Sequence, residues 1–157
     1  MTASAPRAVF DCNVLLQAAV NGKGPAAACL ELVEKGRARL FVSTSVIAEL
    51  GDVLSRTRLA AKFRQLTDER VATFLSRVRL LSTSIHSPPH VFDLPRDAHD
   101  EPYLDLAVAA FAEYLVTRDN DLLDLMKSGD PIGQSFRARF PSLRVMDPVE
   151  FLRALNP

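Results

Sequence analysis

The stretch Arg7-Ala8-Val9-Phe10-Asp11-Cys12-Asn13-Val14-Leu15 decides how the chain is read. A short apolar run over 7–10 predicts a strand, and it ends on an acid, Asp11. An apolar, helix-compatible stretch follows over 13–20. An acid that closes an apolar strand is awkward unless it lines a site.

Strand and helix signals alternate from there to the far end. Gly22, Gly24 and Pro25 punctuate the chain, and Pro25 is placed to start a helix over 26–34 that Gly36 closes. A second strand is predicted over 40–42, followed by Ser43-Thr44-Ser45, any of which can cap the next helix. That helix carries Val46, Ile47, Leu50, Val53 and Leu54 on one face. Thr67-Asp68 opens another amphipathic stretch with Val71, Phe74, Leu75 and Val78 inward. An irregular strand is expected over 80–85, and Pro88, Pro89 and Pro95 make 86–96 a loop. Asp100-Glu101-Pro102 starts a helix leading into 104–112, with a strand over 114–117 and a short helix over 121–126. A last strand covers 143–146, and Asp147-Pro148 caps a terminal helix over 149–155. Strands separated by helices pair in parallel through crossovers. The fold class expected is therefore α/β: a three-layer α/β/α sandwich around a central, mainly parallel sheet, forming one domain over 1–157.

Composition narrows the function classes. With 48% hydrophobic and 24% charged residues the chain is ordinary globular protein, and only 2–6 and 156–157 read as frayed tails. Nineteen basic residues balance nineteen acidic ones, so no global field favours tight, sequence-independent duplex binding. Cys12 and Cys29 lack metal-type spacing and sit among apolar neighbours, which predicts buried free thiols in a reducing compartment. No signal-type or membrane-length segment is seen, so a cytoplasmic location is expected.

In an open parallel sheet the functional crevice lies beyond the carboxyl ends of the strands. Asp11 follows the first strand, Glu49 lies one turn into the helix after the second, Asp100 heads a helix, and Asp119 and Asp121 follow the strand over 114–117. Taken singly, most have ordinary roles: Asp100 as a helix cap, Asp119 and Asp121 as turn residues, Glu49 as a solvated helix residue. Together they would repel one another unless cations intervene, and oxygen-only ligation suits Mg²⁺ or Mn²⁺. Such a site is chemically suited to phosphodiester hydrolysis. His86, His90 and His99 lack zinc-type spacing and read as loop residues. Arg56, Arg58, Arg64, Arg77 and Arg79 read as solvated helix faces.

The series Val9-Phe10-Asp11-Cys12-Asn13, Ile47-Ala48-Glu49-Leu50, Asp97…Asp100…Leu106-Ala107 and Val116-Thr117-Arg118-Asp119-Asn120-Asp121 resembles the PIN-domain nucleases over nearly the whole chain. Within them it is most similar to VapC-type toxins of toxin–antitoxin pairs, a likeness that extends to Val149-Glu150-Phe151-Leu152. The resemblance implies Mg²⁺- or Mn²⁺-dependent RNA cleavage by metal-activated water, leaving 5′-phosphate and 3′-hydroxyl ends. It implies Asp11, Glu49, Asp100 and Asp119 as catalytic metal ligands, Asp121 assisting through water, and Asn13, Ser43 and Thr117 orienting them. Partners implied are an RNA substrate, an antitoxin that sends an arginine into the acidic site, and a second copy of the chain. A housekeeping RNA- or DNA-processing nuclease and a catalytically silent binding module are the competing readings. Two departures bear on the site: Cys12 stands where the family has Thr or Ser, and Asp97, Glu101 and Asp105 compete with Asp100 for the third acid. Asp100 is preferred because it falls at the helix start and keeps the family spacing to Leu106-Ala107.

Overall fold

Ala8, Val9 and Phe10 are almost wholly buried in strand β1 (Arg7–Phe10), because neighbouring strands flank it and helices cover both faces. In a computed structural model, which describes residues 4–59, 66–127 and 129–156, β1 is the central strand of five. The others are β2 (Arg39–Ser43), β3 (Ser82–Ile85), β4 (Tyr114–Val116) and β5 (Arg144–Met146). Their order is β3-β2-β1-β4-β5, and every pairing is parallel. The sheet expected to be mainly parallel is parallel throughout. Its order reverses between β1 and β4, so a crevice opens at their carboxyl ends.

The helices are α1 (Cys12–Val20), α2 (Pro25–Glu34), α3 (Thr44–Leu59), α4 (Asp68–Leu81), α5 (Glu101–Ala109), α6 (Asn120–Leu123), α7 (Pro131–Arg139) and α8 (Pro148–Leu155). Local chemistry sets their ends. Asp11, Thr67, Asp130 and Asp147 each accept a backbone N–H of the first turn. Gly36 closes α2 with φ +75°, letting Arg37 N–H reach the Leu32 carbonyl at 2.8 Å. Leu80 and Leu81 belong to α4 rather than to the following strand. Helix α7 was not anticipated, although Asp130-Pro131 repeats the Asp147-Pro148 signal that marks α8.

One apolar cluster joins both faces of the sheet. Phe151 of α8 meets Phe10 and Tyr114 edge-on at 5.6 and 5.4 Å on one face. On the other, α5 lies against β1, β2 and β4 with Leu104 and Leu106 fully buried. Cys12 and Cys29 are buried and free, as their apolar neighbours predicted. Among the described residues no helix is long and apolar enough to cross a membrane. Thr2, Ala3 and Pro157 of the expected tails, and Arg64, lie outside the described residues.

Candidate active site

The carboxyl edge of β1 and β4 gathers the acids. Asp11 continues the ladder past β1, its N–H donating to the Val116 carbonyl at 3.0 Å. Its side chain is 3% exposed, so its charge must be met from within the protein. Oδ1 accepts Val14 N–H at 2.9 Å, which caps α1, and Oδ2 accepts the hydroxyl of Thr117. Burial raises the pKa of Asp11, and the Thr117 and Val14 hydrogen bonds oppose that rise.

Thr117 also accepts the N–H of Asp119 at 2.9 Å, so one buried hydroxyl positions both aspartates. Asp119 caps α6 through Asp121 N–H at 2.8 Å, and its carboxylate faces Asp97 and Asp100. One oxygen from each of Asp97, Asp100 and Asp119 lies within 4.8 Å of the others. Asp100 precedes α5, but its carboxylate accepts no capping N–H, and its Oδ2 is buried with no hydrogen-bond partner. Burial, then the facing Asp119, push Asp100 up to about 8. Two acceptor oxygens face each other there, a contact that only a proton or a cation between them makes favourable.

Glu49 reaches the site by a different route. It is exposed on α3, and its Oε2 accepts the hydroxyl of Tyr103 at 2.9 Å. That hydroxyl in turn accepts the N–H of Cys12 at 3.2 Å, next to Asp11. Burial, then the charges of Glu49 and Asp11, push the Cys12 thiol up to about 12. The thiol therefore stays neutral beside the acids.

The sequence profile of the PIN domain matches residues 7–121, the span from β1 through this acidic edge. The chain belongs to the PIN-domain family. A comparison with curated proteins found no match. Among solved structures the chain is similar to PAE2754 from Pyrobaculum aerophilum, at 16% identity, with a TM-score of 0.58 over 98% of this chain and 92% of that one. At that identity the likeness concerns the fold.

PIN domains are metal-dependent nucleases, and the acidic cluster offers this one an all-oxygen ligand set. The structure brings Asp100 and Asp119 together, with Asp11 linked through Thr117 and Glu49 through Tyr103. It also brings Asp97 into the same cluster. Asp105 and Glu101 point elsewhere: Asp105 takes Val91 N–H at 2.9 Å and His90 Nδ1 at 3.1 Å, and Glu101 takes Leu94 N–H at 2.7 Å. Both anchor the proline loop to α5. His90, Asp93 and Glu101 form a second group of ligand-type atoms within 4.8 Å, but these hydrogen bonds already occupy His90 and Glu101.

Asp121 lies outside the tight cluster, with Oδ1 3.3 Å from Arg96 Nε. Asn13 is exposed and meets Asp11 through its backbone N–H. Ser43 caps α3 through Val46 N–H at 3.2 Å. Tyr103 is the residue of the candidate site that sequence reasoning missed. Its signal was a lone hydroxyl on an otherwise apolar inward face, three residues after Asp100.

Proposed function

We propose that this PIN domain is a Mg²⁺- or Mn²⁺-dependent endoribonuclease and the toxin of a toxin–antitoxin pair. The observation that carries the nuclease reading is the Asp97–Asp100–Asp119 cluster with its unpartnered, buried Oδ2 on Asp100. Leaving a buried acceptor unsatisfied costs about 1–3 kcal/mol, and a hard divalent cation is the group that an all-oxygen set fits. Such an ion supplies acidification of a water and charge neutralisation at the phosphate.

The remaining work falls to the chain itself. Asp97, Asp100 and Asp119, with Asp11 beside them, would hold the cation, and Thr117 keeps Asp11 and Asp119 in register with each other. Glu49, oriented by Tyr103 and open to solvent, takes up a proton from the attacking water. Arg118 and Asn120 line a cavity of about 350 Å³ beside Asp119, which receives a nucleotide flanking the scissile bond. Four acids at one edge, with buried hydroxyls of Thr117 and Tyr103 orienting Asp11, Asp119 and Glu49, favour catalysis over a silent binding module.

RNA as substrate and the toxin role follow from the resemblance in the four motifs and the terminal helix. An antitoxin arginine would enter the acidic cluster in place of the cation, and a second copy is the expected oligomeric partner. The test is cleavage of single-stranded RNA with Mn²⁺, leaving 5′-phosphate ends. Asp11→Asn and Asp100→Asn should each lower the rate by at least about 100-fold, the upper end of what loss of an outer-shell partner costs. Equal activity in either variant, or in excess EDTA, would sink the metal-carboxylate reading. Toxicity is separate: induced expression should arrest growth, and co-expression of a small antitoxin encoded beside it should rescue growth.

A further inference from the structure

Helix α5 is capped by Ala110, and Phe111 follows with φ +52° and 80% of its surface exposed. The left-handed residue closes the helix, since Ala112 N–H then reaches the Ala107 carbonyl at 2.9 Å. Glycine does the same work at Gly36. A phenylalanine there is unfavourable twice, through its backbone conformation and through its wet ring. Folding alone gives no reason for it.

The surroundings of the ring do. Arg7 Nη1 donates to the Ala110 carbonyl at 3.0 Å, one residue before Phe111. Arg7 and Arg39 open neighbouring strands in register, and both guanidiniums lie over Phe41, 5.3 and 5.4 Å from its centroid. Arg139 stands over Phe140 at 5.0 Å and, with Phe111, lines a cavity of about 280 Å³. Arg144 opens β5 on the opposite face of the sheet, over Tyr114. Glu113, just before β4, interrupts the row. None of these four arginines has a carboxylate partner among the described residues. The chain has no net charge, yet it is polarised: acids gather at the carboxyl edge of the sheet and unpaired arginines at the amino edge.

We propose that the amino edge of the sheet, on the side covered by α5, is a second nucleic-acid site, where Phe111 stacks on a base and Arg39 and Arg139 meet phosphates of one single strand. Aromatic stacking combined with arginine contacts is how single strands are held without sequence readout. A second copy of the chain fits less well, because a two-fold contact would set arginine against arginine. The proposal rests on the nuclease reading only in taking RNA as ligand.

Binding is read apart from turnover, by fluorescence anisotropy of a labelled, unstructured RNA of about 15 nucleotides in EDTA. Phe111→Gly is the decisive variant. It relieves the backbone and should melt higher than wild type, yet its RNA Kd should rise about 5-fold or more. Arg39→Ala with Arg139→Ala should flatten the dependence of log K on log salt by about 0.7 for each phosphate no longer neutralised. Both proteins should cleave a dinucleotide, too short to span the sheet, at the wild-type rate. Unchanged RNA affinity in Phe111→Gly, or an unchanged salt slope in the arginine pair, overturns the site. A dimer that Phe111→Gly dissociates while RNA affinity stays constant overturns it too. A wild-type protein that binds RNA through this edge and never cleaves would uphold the site and sink the nuclease reading alone.

Discussion

Tyr103 donates its hydroxyl to Oε2 of Glu49 at 2.9 Å, and its phenol oxygen accepts the N–H of Cys12 at 3.2 Å. One phenol thus ties α5 to α3 and α1 beneath the carboxylates. Burial raises its pKa, and the neighbouring Cys12, Glu49 and Asp11 add to the rise, so it remains a donor at any working pH.

Tyr103→Phe keeps the ring and removes that link. The buried Cys12 N–H loses its acceptor, and stability should fall by about 1–3 kcal/mol in urea unfolding. Glu49 loses its orientation, and kcat should drop about 10-fold with little change in KM. An unaltered kcat would show that Glu49 needs no positioning.

Thr117→Val is close to isosteric but leaves Oδ2 of Asp11 and N–H of Asp119 without their shared partner. Burial then acts on Asp11 unopposed by that bond, and its pKa should rise further. Mn²⁺ affinity by calorimetry should fall about 10-fold, with Thr117→Ser restoring most of it. Equal affinity in Val and Ser variants would remove Thr117 from the site.

The Asp100 carboxyl, raised to about 8 from an ordinary 3.8, gives the metal-free protein a distinctive pH response. Between those values the folded state holds a proton that the unfolded state has released. Stability in EDTA should therefore fall as pH rises from about 4 to about 8. Apparent Mn²⁺ affinity should climb over the same interval, because binding displaces that proton. Thermal melts of Asp100→Asn should lose this contribution. An Asn variant with the same slope as wild type would assign it elsewhere.

Asp105→Ala should free the proline loop, since the buried carboxylate holds Val91 N–H and His90 together. The unpartnered Val91 amide puts the loss at about 1–3 kcal/mol, and limited proteolysis should cut within 88–96. Asp93 and then Asp105 raise His90 to about 9, so its contribution is complete below about 6.5 and lost as pH passes about 9. Protease resistance that persists unchanged to high pH would show the clamp is dispensable.

The sequence led to the strand over 7–10 and to Asp11 at its end because both are local: an apolar run, then a capping acid whose partner is three residues away. The same holds for Thr67, Asp147 and Gly36. Helix α7 escaped for a different reason. Its apolar content is low and Gly133 interrupts it, so periodicity was weak although the Asp130-Pro131 start was present.

What the sequence by itself determined was the alternation of strands and helices, the parallel sheet it forces, and hence one edge that collects Asp11, Asp119 and the acids before α5. Four acids lie between positions 97 and 105, and nothing local distinguishes them. The tertiary structure decided that Asp97 and Asp100 face Asp119 while Glu101 and Asp105 hold the loop, because the short 3-10 turn at Ala98–Asp100 and the rotation of α5 set those directions. It also decided that Asp11 would be met by Thr117, 106 residues away, and that Asp100 would have one buried oxygen without a donor. A side chain's partner across the sheet depends on packing of distant segments, and no periodicity encodes it.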